Sequence, residues 1–313
     1  MNERALIRTL GRLLPGHRSV ITGIGDDAAV VRNPSDKLFD LVLTSDPVIE
    51  GVHFTADAPA PAIGHKAVAR SLSDLAAMGA EPLWALVDLV AAARTPASRL
   101  KAIYRGLAAT AHKHGLTVVG GDTAGGPRLE LHVFAVGRVP RGRAILRSGA
   151  RPGDVIFVTG MLGGSISGRH LSFAPRVVEG SWLRAEGWAT AMIDLSDGLA
   201  SDLRRLTEMS RTGAVIDSAA VPVSKAALRN KDGCPAIAHA LADGEDYELL
   251  FTVAPRKAAG FQRAWRKSFS LRISRVGVMT DERGLVECLD VNGKRSELAD
   301  GGYEHFFGDN RKS

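Results

Sequence analysis

Apolar and polar positions in the first 140 residues alternate between the two-residue period of strands and the 3.6-residue period of helices. The helical period covers residues 1–14, 61–78 and 98–114, and the second of these segments ends at Gly79. Short β-rich runs lie at 19–22, 28–31, 39–44, 84–90, 116–119 and 129–139. The run at 39–44 is expected to end at Ser45-Asp46-Pro47. These patterns predict a mixed α/β fold.

A change of composition at Pro140-Arg141-Gly142-Arg143 predicts a boundary between two domains, residues 1–140 and 141–313. The second half is also α/β: strands are predicted at 155–159, 214–216 and 249–253, and a helix at 199–210. A glycine-rich loop, 160–168, follows the first of these strands. A chain of 313 residues is long enough for two cores.

Composition excludes several classes of protein. With 45% hydrophobic and 24% charged residues, the chain is a globular protein and not a disordered one. Its two cysteines, Cys234 and Cys288, cannot form a disulfide framework or a four-thiolate zinc site, so a cytoplasmic location is expected. The longest apolar run, 84–93, is too short to cross a bilayer, and no membrane partner is expected.

The net charge of +6 permits nucleic-acid binding, but the basic residues are scattered. The densest basic stretch, 138–151, contains no aromatic residue that could stack on a base. We therefore expect no nucleic-acid partner and assign this charge to a solvated surface that attracts small anions.

Aspartates recur where a predicted strand gives way to a turn or a helix. Seven acids share this pattern, with only Asp74 on a helix: Asp26, Asp27, Asp46, Asp74, Asp122, Asp194 and Asp197. A single aspartate after a strand is usually a cap or a turn former. Seven of them with few neighbouring cations instead predict a site with several metal ions, because buried carboxylates need a positive partner. Oxygen-only ligands favour Mg²⁺ or Ca²⁺ over zinc.

Several Mg²⁺ ions on carboxylates usually hold a polyphosphate. The familiar phosphate loops are absent, because Gly160-Met-Leu-Gly-Gly-Ser165 lacks the lysine of a P-loop. The segment 23–28 matches the dinucleotide fingerprint loosely, but two carboxylates would face the pyrophosphate and Pro34 interrupts the expected helix.

Eight motifs in order resemble those of thiamine-monophosphate kinases. They are Gly-Ile-Gly-Asp-Asp-Ala at 23–28, Thr-Ser-Asp at 44–46 with Glu-Gly-Val-His-Phe at 50–54, Leu-Ser-Asp-Leu-Ala-Ala-Met-Gly at 72–79, Gly-Gly-Asp-Thr at 120–123, Arg-Ser-Gly-Ala-Arg-Pro-Gly-Asp at 147–154, Ile-Asp-Leu-Ser-Asp-Gly at 193–198, Gly-Glu-Asp-Tyr-Glu-Leu at 244–249 and Gly-Tyr-Glu-His-Phe at 302–306.

The resemblance implies a two-domain fold shared with aminoimidazole ribonucleotide synthetase and selenophosphate synthetase, in which the N-terminal domains form a homodimer around a shared β-barrel and the C-terminal domain is α/β. It implies transfer of the γ-phosphoryl group of ATP to thiamine monophosphate, with several Mg²⁺ ions required. The acceptor is already an ionised phosphate, so direct in-line transfer needs no strong general base.

The resemblance also assigns residues. Metal ligands would be Asp27, Thr44, Ser45, Asp46, Asp74, Asp122, Asp194 and Asp197, and of these Asp46, Asp74, Asp122 and Asp197 are assigned to the catalytic centre. Nucleotide contacts would be Gly121, Asp122, Arg147, Ser196 and Tyr104. Contacts to thiamine monophosphate would be His53, Glu245 and Tyr303.

Two departures from the family pattern affect the expected site. Pro47 follows Ser45-Asp46 and removes one backbone donor. The stretch between Ser165 and Arg169 is shorter than in the family, as if a helix were missing.

Two other functions remain open at this stage, a sister ATP-dependent synthetase and a non-catalytic nucleotide-binding module. Selenophosphate synthetase needs a reactive Cys or selenocysteine with a nearby Lys, and neither occurs before Gly23. The hydrogenase-maturation relative ends in a reactive Cys, whereas this chain ends in Asn-Arg-Lys-Ser.

Overall fold

A computed structural model of the chain describes residues 3–14, 16–290 and 292–298. Tyr303, which the sequence assigns to the substrate, lies outside the described residues.

The N-terminal part contains one seven-stranded sheet and three helices. The strands are β1 (Val20–Thr22), β2 (Ala29–Arg32), β3 (Phe39–Ile49), β4 (Glu81–Ala91), β5 (Thr117–Gly120), β6 (Thr123–Gly125) and β7 (Glu130–Pro140). The helices are α1 (Glu3–Leu13), α2 (Ala60–Ala77) and α3 (Ala97–Lys113). The strand order is β1-β2-β3-β7-β4-β5, and β6 also pairs with β4. One face of this sheet is covered by α2, which packs on β3, β4 and β7.

The C-terminal part contains a second seven-stranded sheet. Its strands are β8 (Val155–Thr159), β9 (Ala189–Asp194), β10 (Gly213–Asp217), β11 (Leu249–Val253), β12 (Ile273–Thr280), β13 (Val286–Leu289) and β14 (Arg295–Glu297). Its helices are α4 (Val177–Ala185), α5 (Leu199–Ser210), α6 (Lys225–Arg229), α7 (Ala236–Ala242) and α8 (Pro255–Ser268). The strand order is β14-β13-β10-β12-β8-β11-β9. The predicted mixed α/β fold is confirmed, and its strands form two sheets, whereas the domain boundary at residue 140 stays a prediction.

Helix α2 lies between the two parts of the molecule. Its apolar positions are fully buried, and the core around it is continuous with Phe157 and Met192 of the second sheet. On its other side α4 approaches so closely that a Cβ atom at Gly180 would lie 2.1 Å from the carbonyl oxygen of Ala76. Polar side chains on α2 can therefore reach residues of both sheets.

The bounds of helices and strands agree with those predicted where the sequence contains a clear start or stop signal, such as a glycine after a helix. The helix predicted at 61–78 is α2, and it is followed by Gly79 at a φ of 66°, a left-handed conformation that favours glycine. Strands β8 and β11 and helix α5 have the predicted bounds. In contrast, helices α4 and α8 and strands β12, β13 and β14 were not predicted.

One predicted boundary is wrong in a way that concerns the site. Strand β3 does not end at Ser45-Asp46-Pro47 but continues to Ile49, paired with β7 along its whole length. Asp46 is therefore inside a strand and not at its end. Alternation places Thr44 and Asp46 on the face covered by α2 and Ser45 on the opposite face.

Among the described residues, no helix combines the length and the apolar character that a membrane-spanning helix requires.

Candidate active site

Three aspartates from three different elements meet between the two sheets. Asp27 precedes β2, Asp74 is on α2, and Asp194 is the last residue of β9. Each offers a carboxylate oxygen, and these oxygens all lie within 4.8 Å of one another. Within the described part of the chain, no other three potential metal-ligating side chains lie so close to one another.

Two members of this group, Asp74 and Asp194, have the electrostatics of carboxylates buried beside like charges. Burial raises the pKa of Asp194 to about 7, and the neighbouring Asp27 adds to the shift. Burial, followed by Asp46 and Asp194, raises the pKa of Asp74 well above its usual range. Burial and close like charges therefore both disfavour ionisation of Asp74 and Asp194. A divalent cation would reverse this effect.

The oxygens of the group are only partly used by the protein. Ser73 donates a 2.6 Å hydrogen bond to Oδ2 of Asp194, and Thr44 donates to Oδ2 of Asp74. Oδ2 of Asp27 is buried and has no hydrogen-bond partner. A hard cation that prefers oxygen ligands fits this donor set.

Cations reach the acidic residues through tertiary contacts, contrary to the expectation that few are near. Arg147 contacts Oδ1 of Asp27 at 2.8 Å through Nη2. Arg205 pairs with Asp197 and with Asp202, so Asp197 lines the cavity as part of an ion pair and outside the group of three. The sequence does not show these pairs because their members are separated by 120 and 8 residues.

Helix α2 presents three charged side chains along one stripe. Lys66, Arg70 and Asp74 are spaced by four residues and therefore lie on one face of the helix. The sequence interpretation named only Asp74. The four-residue spacing of charges on a largely apolar helix was a signal that could have identified the other two.

Lys66 is fully buried and has three polar partners around its ammonium group. Nζ lies 2.7 Å from the carbonyl oxygen of His53 and 2.8 Å from Nδ1 of His170, and it also donates to Oε2 of Glu245. Two of the predicted substrate contacts, His53 and Glu245, are thus fixed by one lysine.

The carboxylate of Glu245 is held ionised at the wall of the cavity. Burial alone would raise its pKa, but the hydrogen bond with His170 and the charge of Lys66 lower that pKa to about 2. Its Oε1 accepts a 3.2 Å hydrogen bond from the hydroxyl of Tyr247. Both Glu245 and Tyr247 have positive φ angles, 56° and 49°, which non-glycine residues rarely adopt. Such conformations at a cavity wall are typical of functional loops.

The predicted residues on the cleft side surround one cavity of about 820 Å³. Its lining includes Asp27, Thr44, Ser45, His53, Arg147, Ser196, Asp197 and Glu245. Ile7, Ile24 and Met209 give it an apolar section beside the turn at 23–27. The cavity therefore combines an apolar surface with a concentrated set of carboxylates.

Gly121, Asp122 and Tyr104 do not line this cavity. They lie with Asp88 near strand β5, roughly 14 Å from β3 at three strand spacings of about 4.8 Å. The amide of Asp122 donates a 2.8 Å hydrogen bond to Asp88, and Asp88 contributes to a raised pKa of Tyr104 after burial. Gly121 must be glycine, because a Cβ atom would lie 1.9 Å from the carbonyl oxygen of Val87. The expectation that Asp122 joins the other acids within one chain is not met.

The shortened stretch is a pair of single 3₁₀ turns, Ser165–Ser167 and Arg169–Leu171. It still delivers two side chains to the 244–249 motif. Arg169 pairs with Glu248 and with Asp246, and His170 contacts Glu245 at 3.2 Å. Glu248 is buried and also accepts hydrogen bonds of 2.7 and 2.6 Å from Arg176. The shorter stretch therefore still provides the ion pairs and contacts that hold the 244–249 motif.

Comparison with known proteins agrees with this arrangement. The chain matches the N-terminal domain of AIR synthase related proteins over residues 25–139 and the C-terminal domain over residues 175–288. Fold and carboxylate site thus define an AIR synthase related protein.

Within that class, several similar proteins are thiamine-monophosphate kinases. The thiamine-monophosphate kinase of Rhodopirellula baltica is 38% identical over 90% of this chain and 89% of its own length. That of Escherichia coli is 36% identical over 96% of this chain and 97% of its own. The structure of AaThiL complexed with AMPPCP and TMP has a TM-score of 0.84 and 30% identity, covering 97% of both chains. The chain belongs to the thiamine-monophosphate kinase family.

Proposed function

We propose that this protein transfers the γ-phosphoryl group of ATP to thiamine monophosphate, giving thiamine diphosphate and ADP. The observation that carries the proposal is the convergence of Asp27, Asp74 and Asp194, of which Asp27 lines the same cavity as Glu245 and His53. The relatives named above carry this activity in their names, and one related structure was solved with an ATP analogue and TMP.

The carboxylates are suited to hold Mg²⁺. Asp27, Asp74 and Asp194 form the group that would bind it, with Asp46 and the hydroxyl of Thr44 beside Asp74. When bound, Mg²⁺ would supply positive charge to these carboxylates and to phosphate oxygens, which would offset the burial and the like-charge repulsion that raise the pKa values of Asp74 and Asp194. The hydroxyl of Ser45 and the carboxylate of Asp197 remain proposed as further ligands.

The remaining lining suggests where each substrate lies. The apolar section at Ile7, Ile24 and Met209 suits an adenine base, with Arg147 and Ser196 available for the phosphates. Glu245 and His53 suit the thiamine portion, because an ionised carboxylate offsets the charge of a thiazolium ring. An oxygen of the acceptor phosphate attacks the γ-phosphorus in line, and the bond from that phosphorus to the β,γ-bridging oxygen breaks, which releases ADP. The contribution of the protein is to position the two phosphates and to neutralise their charge.

Incubation of the purified chain with ATP, Mg²⁺ and thiamine monophosphate is expected to give thiamine diphosphate and ADP in equal amounts. Asp46→Ala is expected to abolish this turnover and to leave the circular dichroism spectrum unchanged. Binding of ATP without turnover would instead favour a nucleotide-binding module, and full activity of Asp46→Ala at normal Mg²⁺ would refute the assigned role. A cytoplasmic location, where ATP is available, remains part of the proposal.

A second copy of the chain is proposed as the partner. The sheet face opposite α2 exposes large apolar side chains at Trp84, Leu86, Val119 and Phe134, and Leu86 is directly paired with Phe134. The open face of a sheet is usually polar, so an apolar face indicates a partner surface. Gly121, Asp122 and Tyr104 lie at the edge of the same sheet. We propose that they complete the nucleotide site of the partner subunit.

Mixed dimers would show whether Asp122 acts across the interface. Asp122→Asn and Asp74→Asn are each expected to be inactive alone. Random pairing of the two variants is expected to restore about a quarter of the wild-type activity, because half of the dimers then contain one intact site. No recovery would mean that Asp122 acts within its own chain. Leu86→Glu serves as the control, since it is expected to give monomers in sedimentation and to prevent recovery.

A further inference from the structure

Arg70 is the one charged residue of the α2 stripe for which the sequence suggested no role and whose side chain lines the cavity. It lies between Lys66, which holds Glu245, and Asp74, which belongs to the carboxylate group. The wall between the substrate side and the carboxylate side of the cavity therefore carries a fixed positive charge.

The guanidinium of Arg70 is only partly paired within the chain. Nη1 donates a 3.0 Å hydrogen bond to the carbonyl oxygen of Pro47, and Nη2 lies 3.4 Å from Oδ1 of Asp46. Nε is buried and has no hydrogen-bond partner. A buried donor without an acceptor is costly, so an acceptor supplied by a ligand would stabilise this arrangement.

The acidic neighbours of Arg70 do not occupy all of its N–H donors. Glu245 is already bonded to Lys66, His170 and Tyr247. Asp46 makes only long contacts, at 3.4 Å to Arg70 and at 3.4 Å to the hydroxyl of Ser71. Mg²⁺ on the neighbouring carboxylates would further weaken the hold of Asp46 on the guanidinium. Arg70 is thus free to bind an anion without breaking a strong ion pair.

The proposed reaction brings two anions together, the γ-phosphate of ATP and the phosphate of the acceptor. A guanidinium offers a planar pair of N–H donors that matches phosphate oxygens. We infer that Arg70 binds the phosphate group of the acceptor, a phosphate monoester, and holds it against the carboxylate group for attack. This inference rests on the proposed function and adds to it the residue that distinguishes a phosphorylated acceptor from the free alcohol.

The test compares two ligands that differ only in that phosphate. Binding of thiamine monophosphate and of thiamine is measured by titration calorimetry in the presence of Mg²⁺ and AMPPCP, for the wild type, Arg70→Gln and Arg70→Lys. Arg70→Gln is expected to weaken binding of thiamine monophosphate about 10- to 100-fold, the worth of a charge-assisted pair, and to leave binding of thiamine unchanged. Arg70→Lys keeps the positive charge but lacks the paired N–H donors of the guanidinium. Its affinity for thiamine monophosphate should therefore lie between those of the wild type and of Arg70→Gln.

Arg105→Gln, the same change on the exposed face of α3, is the matched control and should bind both ligands as the wild type does. Equal weakening of both ligands by Arg70→Gln would show that Arg70 only supports Asp46 and the fold, and would overturn the inference. Unchanged binding of thiamine monophosphate would overturn it as well. Failure of the wild type to prefer thiamine monophosphate over thiamine would refute the proposed function itself, which keeps the two failures distinct.

Discussion

Asp194→Asn is expected to reduce phosphoryl transfer about 100-fold or more and, without Mg²⁺, to make the folded chain more stable at pH 8. Activity falls because a charged ligand is lost from the group formed by Asp27, Asp74 and Asp194. Stability rises because the same substitution removes like-charge repulsion. Asparagine keeps an oxygen that can accept the hydrogen bond from Ser73.

The pH dependence of this effect follows from the pKa of Asp194, which rises from 3.8 to about 7 on folding. The folded state then binds a proton that the unfolded state has released, so metal-free stability falls as pH rises from about 4 to about 7. The loss persists at higher pH. It amounts to about 4 kcal/mol, since a pKa difference of one corresponds to about 1.4 kcal/mol. Asp194→Asn lacks this decline.

Urea unfolding of the wild type and of Asp194→Asn in EDTA, at pH 5 and pH 8, measures the difference directly. The same experiment with Mg²⁺ should stabilise the wild type, more at pH 8 than at pH 6, and should affect the variant much less. A variant that is less stable than the wild type at pH 8 in EDTA would contradict the electrostatic account of the site.

Lys66→Met is expected to lower the free energy of unfolding by about 3–5 kcal/mol, the usual effect of removing one partner from a buried ion pair. Lys66 is fully buried, and without its ammonium group the carboxylate of Glu245 loses its cationic donor and the carbonyl oxygen of His53 loses a hydrogen bond. The same loss releases the substrate side of the cavity, so the KM for thiamine monophosphate should rise more than the KM for ATP.

A double-mutant cycle separates this pair from its surroundings. Glu245→Gln keeps the shape of the side chain and removes its charge. The double variant Lys66→Met with Glu245→Gln is expected to be more stable than the sum of the single effects implies, by about 0.5–3 kcal/mol. Additive effects would show that Lys66 stabilises the fold through contacts other than Glu245. A KM that rises equally for both substrates would argue against the assignment of this side to thiamine monophosphate.

Of the residues in these two predictions, Asp194 could be recognised from the sequence and Lys66 was not. Asp194 was identified because Ile-Asp-Leu-Ser-Asp-Gly follows a β-rich run and resembles a family motif. Lys66 was not identified, because a lysine in an apolar helix carries no motif of its own. Its meaning depends on Glu245, which is 179 positions away. The ion pair between Lys66 and Glu245 was not predicted because its two residues are far apart in the sequence.

The strand that carries Asp46 shows a second limit. Proline and a polar pair at 45–47 predicted the end of β3, since proline lacks the amide donor that a central strand uses. In the structure β3 continues to Ile49, paired with β7 throughout. Tertiary pairing outweighed local preference, and it turned Asp46 toward α2.

By itself, the sequence determined the class of the fold, the helices with a clear apolar period and clear end signals, and the family to which the chain belongs. These depend on local periodicity and on short motifs, which a linear sequence contains in full. Only the tertiary structure decided which acids converge, which arginines and lysines meet them, and that Asp122 lies near β5 and away from the other acids. These facts depend on how strands and helices from distant segments pack together, and the electrostatic energy of a charge is set by those neighbours in space.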